Sequence, residues 1–145
     1  VLECQVKWPN DLVTSEGHKI GGILAELSAE AERVRFVVLG VGINVNQMEF
    51  PGLPQATSMA RIHGKPMDRA RLLADLVSAV EMVDTQSVPD LSPWRKRSHT
   101  LGRRVRVNEV EGVATDVRED GALLVDGVPI LAGDVHLLGP STDKE

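Results

Sequence analysis

Two segments decide the fold: Lys19-Ile20-Gly21-Gly22-Ile23-Leu24-Ala25-Glu26-Leu27, and further on Val34-Arg35-Phe36-Val37-Val38-Leu39-Gly40-Val41. The second is almost continuously apolar and β-branched, which predicts a strand buried on both faces. The first is an apolar run interrupted by paired glycines. Working upstream, Ser15-Glu16-Gly17 is a turn signal, so Leu12-Val13 and the run from Lys19 are expected to form a hairpin. Val1 to Lys7 reads as a short strand halted by Pro9-Asn10-Asp11. Downstream, a loop containing Pro and Gly runs from Asn44 to about Pro54.

The period then changes. Asp68 is a candidate N-cap, and Leu72, Leu73, Leu76, Val77, Val80 and Val83 recur at spacings of three and four. That stripe predicts an amphipathic helix with its apolar face in the core. Pro89 punctuates, and a short second helix is expected over Leu91 to His99. From Arg103 the period becomes two: Val105 and Val107 alternate with Arg104 and Arg106, and Val113, Thr115 and Val117 with polar neighbours. Asp120-Gly121 and Asp126-Gly127 are hairpin-type turns, since glycine tolerates the positive φ of tight hairpins. Short strands packed this densely predict a small β-barrel, with a domain boundary near Thr100. The organisation expected is therefore 1–99 and 100–140.

Composition limits the function classes. The 145 residues suit one domain, or one with a small appendage. Apolar residues make up 42% but aromatics only 3%, so burial must come from Val, Leu, Ile and Ala. The net charge of −5 argues against nucleic acid as the main partner. The basic residues Arg95-Lys96-Arg97 and Arg103-Arg104 read as solvated charge around a domain junction. The lone Cys4 allows no internal disulfide, fits a reducing cytoplasm and reads as a small buried residue. No run approaches the ~20 apolar residues of a membrane span.

Three motifs carry chemistry. In Lys7-Trp8-Pro9-Asn10-Asp11-Leu12, a lysine at a strand end is fixed by an immediate turn, so its ammonium is presented to whatever cleft lies there. Such a point charge suits an oxyanion or phosphate. In Gly21-Gly22-Ile23-Leu24-Ala25-Glu26, paired glycines inside a strand fit either a bulge or a ligand lying close to the backbone. Leu39-Gly40-Val41-Gly42-Ile43-Asn44-Val45-Asn46 is not a dinucleotide fingerprint, because Val45 stands where a third glycine would fall and no helix pattern follows. Gly40 and Gly42 lie on one strand face that could sit flat against a planar or apolar ligand, and Asn44 could reach a phosphate or its metal.

In order and spacing, these motifs resemble the biotin–protein ligase family, which shows a K-W-P-N-D-L segment, a strand ending in G-I-L-x-E, a G-x-G-I-N-x-N strand end and a small C-terminal barrel. The resemblance implies an α+β fold: part of a class II synthetase-like mixed sheet with helices, followed by an SH3-like β-barrel. It implies an ATP-dependent ligase that forms biotinyl-5'-AMP and transfers biotin to a lysine of a biotin carboxyl carrier domain, in the cytoplasm, with Mg²⁺ assisting. Lys7 matches the lysine contacting the biotin carboxyl and acyl phosphate. Gly40 and Gly42 match positions lining the biotin pocket. Asn44 matches a polar residue on the adenylate or metal side, and Gly22 and Ile23 match a strand edge beside the ligand. Lys19 matches a basic position of unassigned role. No metal ligand is assigned, and the oligomeric state is left open.

One departure stands out. The family's Gly/Arg-rich ligand loop precedes the K-W-P-N-D segment, and no such loop occurs in this sequence, which opens Val-Leu-Glu-Cys in a strand pattern. The chain is therefore expected to be an incomplete part of a ligase, inactive and prone to self-association by itself. Two other readings stand beside this one: a lipoate-type acyl-adenylate ligase, and a non-catalytic module that docks carrier domains.

Overall fold

The computed structural model describes residues 3–30, 33–83 and 87–139. The first sheet holds four antiparallel strands in chain order: β1 (Gln5–Lys7), β2 (Asp11–Val13), β3 (Lys19–Glu30) and β4 (Arg33–Ile43). The expected hairpin between Leu12-Val13 and the Lys19 run is there, with a register shift between Leu12 and Val13. Val1 and Leu2, which the sequence assigns to the first strand, lie outside the described residues. The mixed character expected of this sheet is confined to two isolated parallel bridges, Val6 with Ser98 and Lys19 with Ala56.

β3 and β4 run far beyond β2. From Leu24 onward, among the described residues, they pair only with each other, as a two-stranded ribbon. The expectation that Val34 to Val41 is buried on both faces is not met. Val34, Phe36, Val37, Val38 and Leu39 are all exposed, as are Leu24 and Leu27 opposite them. The cause is neighbours, not pattern: β4 is the sheet edge, and among the described residues no layer covers the ribbon.

Three helices follow. In α1 (Met59–His63) the Ser58 hydroxyl accepts from Arg61 N, and Gly64 closes the helix with φ 70°. In α2 (Arg69–Glu81) Asp68 is the N-cap, as expected, its carboxylate accepting from Arg71 N. The apolar stripe of α2 does not form a core, however. No α2 residue is buried, Leu73, Val77 and Val80 are exposed, and only Leu72 and Leu76 are partly covered along a groove facing Val41, Ile43 and Val45. As in β4, the stripe is real and its cover is not among the described residues. α3 (Ser92–Lys96) lies inside the stretch expected to be helical, with Pro93 in its first turn.

The second sheet is antiparallel, in the order β8-β7-β6-β5-β9: β5 (Arg104–Val107), β6 (Val110–Val117), β7 (Leu123–Val125), β8 (Val128–Ile130) and β9 (Val135–Leu137). Gly121 and Gly127 both have φ 83°, which accounts for the two Asp-Gly turns. No strand pairing joins β8 to β9, so the expected barrel is a five-stranded sheet that hydrogen bonds do not close. It encloses the main core: Val105, Val107, Ala114, Val117, Leu123, Val125, Ile130 and Val135, with Leu91, Trp94 and Leu101 packed against it.

Trp8 belongs to that same core and is 3% exposed. Its indole N–H donates to the Gly121 carbonyl at 2.9 Å, and its backbone N–H donates to Thr100 Oγ1 at 3.0 Å. The segment after α3 runs alongside β1: Val6 N donates to Arg97 O at 2.9 Å and His99 N to Val6 O at 2.7 Å. The stretch around Thr100 is thus a joint that stitches β1 to the second sheet. Arg95, read from sequence as solvated charge, ties α3 to β6 through Asp116 (2.6 Å) and the Val117 carbonyl (2.8 Å).

Candidate active site

Lys7 ends β1, where Pro9-Asn10 forces the chain back, and the Trp8–Pro9 peptide is cis. Cross-strand register then assembles a row that spans the sheet. Lys7 pairs with Asp11, Asp11 with Gly22, and Gly22 with Gly42. Residues opposite one another in a ladder share a face, so the Lys7 side chain stands on the same face as Gly22 and Gly42. Gly40 joins them by strand alternation, opposite Leu24.

These glycines differ in why they are glycine. A Cβ at Gly21, on the other face, would collide with the Gly42 carbonyl. At Gly40 and Gly42 a Cβ would meet nothing closer than 3.6 Å and 4.0 Å respectively, and neither has a positive φ. Neither packing within the described chain nor backbone conformation requires glycine there. What remains is a flat strip of backbone, open to close approach by a ligand.

Ile23 falls on the opposite face, paired with Val41 and exposed, while its amide donates to Asn10 O at 2.8 Å. Asn44 follows the end of β4 and is held on three sides. Its N–H donates to Ile20 O (2.7 Å), its carbonyl accepts from Met59 N (2.9 Å), and its amide Nδ2 donates to Thr57 O (3.0 Å). Among the described residues no hydrogen bond occupies its amide oxygen.

Two hollows adjoin this region and share Lys19 and Gln55. One, of about 450 Å³, lies between the sheets and has a mixed wall: charged and polar side chains of Lys7, Asp11, Lys19, His99, Arg103 and His136, with Val13, Val135 and Leu137. The other, of about 510 Å³, is largely apolar, with Phe50, Leu53 and Pro54 on its wall and Asn44 at its margin. Lys19, left without a role by the sequence, pairs with Asp11 at 2.5 Å and bridges the two. Asp11 was missed as a site residue, although its place in the turn after Lys7 was the available signal. The structure therefore brings Lys7, Gly22, Gly40 and Gly42 to one face, sets Asn44 beyond the strand end, and turns Ile23 away.

The electrostatics favour neither a thiol nucleophile nor a clustered metal. Partial burial pushes the Cys4 thiol up, so its thiolate is disfavoured. Among the described residues no three His, Cys, Asp or Glu side chains converge as a metal site. None of the described helices is long and apolar enough to cross a membrane.

Residues 2–44 match the model of the biotin/lipoate A/B protein ligase family. The biotin–[acetyl-CoA-carboxylase] ligase of Mycobacterium tuberculosis is 40% identical over 149 residues, which cover 93% of this chain and 54% of that protein. The bifunctional ligase/repressor BirA of Escherichia coli is 31% identical, over 92% of this chain and 46% of its own length. The chain thus spans about half the length of these curated relatives. Among solved structures, a biotin protein ligase from Aquifex aeolicus in complex with biotin and ATP superposes with a TM-score of 0.73 at 28% identity, covering 93% of this chain and 62% of that one. Motif order, fold and these similarities agree: over 93% of its length the chain is similar to a region of biotin–protein ligases.

Proposed function

We propose that the protein carrying this chain is an ATP-dependent biotin–protein ligase, and that this region supplies one wall of its active site. In the first step a biotin carboxylate oxygen attacks the α-phosphorus of ATP, the bond to the β-phosphate oxygen breaks, and pyrophosphate leaves. In the second, the amine of a carrier-domain lysine attacks the acyl carbon, loses its proton, and AMP departs with the oxygen that joined acyl group to phosphate. Negative charge builds on the phosphoryl oxygens in both steps.

The row Lys7–Asp11–Gly22–Gly42 carries the reading, because it sets on one face an ammonium, a carboxylate and then two positions without a Cβ. Biotin's fused rings would lie on Gly40 and Gly42, with its carboxylate toward Lys7. The adenylate would extend past Lys19 toward Asn44 and the apolar hollow. An ammonium fixed at a strand end stabilises charge that grows in the transition state, which lowers the barrier more than it tightens ground-state binding. Asp11 counters Lys19 and limits repulsion between the two lysines. Gly22 leaves room for the Asp11 carboxylate and the Lys19 stem, which a Cβ there would meet at 3.3 and 3.8 Å. Mg²⁺ is expected to neutralise ATP phosphates. The described residues do not provide a carboxylate cage for it.

The partner is a biotin carboxyl carrier domain and the compartment the cytoplasm, where ATP and carboxylases meet. The test incubates the full-length protein with ATP, biotin and a carrier domain, and detects transfer by streptavidin blot. ATP-dependent biotinylation of the carrier lysine is expected. Transfer of lipoate instead of biotin would establish the lipoate-type reading. Carrier binding with no transfer of either acid would establish a docking module.

A further inference from the structure

His99 is nearly sealed, at 2% exposure, in the joint between the sheets. Its Nδ1 lies 2.6 Å from Gln5 Oε1 and its Nε2 lies 3.1 Å from Arg103 Nη1. A guanidinium only donates, and an amide oxygen only accepts. The ring must therefore be neutral, with its proton on Nδ1 given to Gln5 and its Nε2 lone pair accepting from Arg103. Gly17 closes over that same nitrogen: a Cβ there would lie 2.9 Å from Nε2. Gln5 and Lys7 share a face of β1, and the backbone on either side of Lys7 is already bonded to the joint through Val6 and Trp8.

We propose that neutral His99 is a positioning residue for Lys7: it locks the β1 face bearing Gln5 and Lys7 to the second sheet and holds Arg103 at the edge of the hollow between the sheets. The proposal rests on the ligase reading for Lys7 as the charge-stabilising group. Protonation would set N–H against N–H at Arg103 and place an imidazolium beside two fixed cations, so Arg103 must swing out and the joint loosens. The charged and titratable groups around that hollow are Lys7 and Asp11 from β1 and β2, Glu16 and Lys19 from the following turn and β3, Arg103 from the joint, and His136 from β9. Burial, then Arg103, then Lys7 hold the ring's pKa below its ordinary value of 6.5. The lock is complete at neutral pH and opens only on the acid side of that value.

The experiment uses the full-length ligase. Single-turnover formation of biotinyl-adenylate is followed from neutral pH down through the imidazole range, for wild type, His99→Phe and His99→Gln. His99→Phe should lose on the order of tenfold in rate at neutral pH, with little change in the KM for biotin. His99→Gln presents a carbonyl that accepts from Arg103 without titrating, so it should keep the neutral-pH rate and lose the acid limb of the wild type. Nitrogen-15 NMR of the wild-type imidazole should show the Nδ1–H tautomer at neutral pH. An unaltered rate in His99→Phe, an acid limb surviving in His99→Gln, or an Nε2–H or charged ring would each overturn the proposal. If His99→Phe fails to fold, the glutamine variant and the tautomer still decide. A wild-type protein that makes no adenylate fails the ligase reading instead, and the tautomer alone then decides whether the neutral lock exists.

Discussion

Replacing Trp8 by alanine should destabilise the second sheet, although Trp8 lies outside it in sequence. The side chain is 3% exposed, within a core made of Val105, Val107, Ala114, Leu123 and Val125. A buried tryptophan removes roughly 150–250 Å² from water, which at ~25 cal/mol/Å² is about 4–6 kcal/mol as an upper bound. Measured truncations of large aromatics centre on about 3–5 kcal/mol, so a loss near 4 kcal/mol is expected. Trp8→Phe separates the two contributions. It keeps a ring in the core but removes the indole donor from the Gly121 carbonyl; Gly121 is exposed and water can replace that donor, so the cost beyond the lost area is about 1 kcal/mol or less. Urea unfolding followed by far-ultraviolet circular dichroism measures both. A Trp8→Ala loss under about 1 kcal/mol would refute the claim that the K-W-P-N-D segment anchors the second sheet.

Gly21→Ala and Gly42→Ala should behave oppositely. The first collides with the Gly42 carbonyl and should lower stability by several kcal/mol, whereas the second has open space and should stay within about 1 kcal/mol of wild type while weakening biotin binding; calorimetry of both variants checks the contrast. Asp116 is held below the usual carboxylate range, first by its hydrogen bond from Arg95 and then by the Val117 amide. A depressed folded pKa stabilises above the unfolded value and loses that contribution as pH falls through the folded value. The pair is largely solvated, so Asp116→Asn should cost under ~1 kcal/mol at neutral pH, and the difference should shrink and vanish as pH falls below the ordinary carboxylate range, as read from unfolding midpoints across pH.

Local chemistry was legible in the sequence. The Asp68 cap, the Asp-Gly turns, the short strands from Arg104 and the Leu12 to Lys19 hairpin each depend on a few adjacent residues, and each is present. Burial was not legible. Val34 to Val41 and the α2 stripe have core patterns, yet a pattern states only which face seeks cover, and nothing among the described residues supplies it. Contacts between distant segments were also out of reach. The Trp8 indole bond spans 113 positions and the His99–Gln5 contact spans 94. Nothing near either residue announces its partner, so Trp8 read as part of a motif and His99 as a helix end. For the candidate site, motif identity supplied Lys7, Gly22, Gly40, Gly42 and Asn44, but only strand register could show that Ile23 faces away and that Asp11 stands between Lys7 and Gly22.

The central claim is that Lys7 stabilises charge during adenylate formation. Single-turnover kinetics of biotinyl-adenylate synthesis by the full-length protein, wild type against Lys7→Ala, tests it most directly. The loss of one such contact is worth on the order of 3 kcal/mol, or roughly a hundredfold in rate, with a smaller change in biotin affinity. An unchanged rate accompanied by weaker biotin binding would contradict the account and make Lys7 a binding residue only.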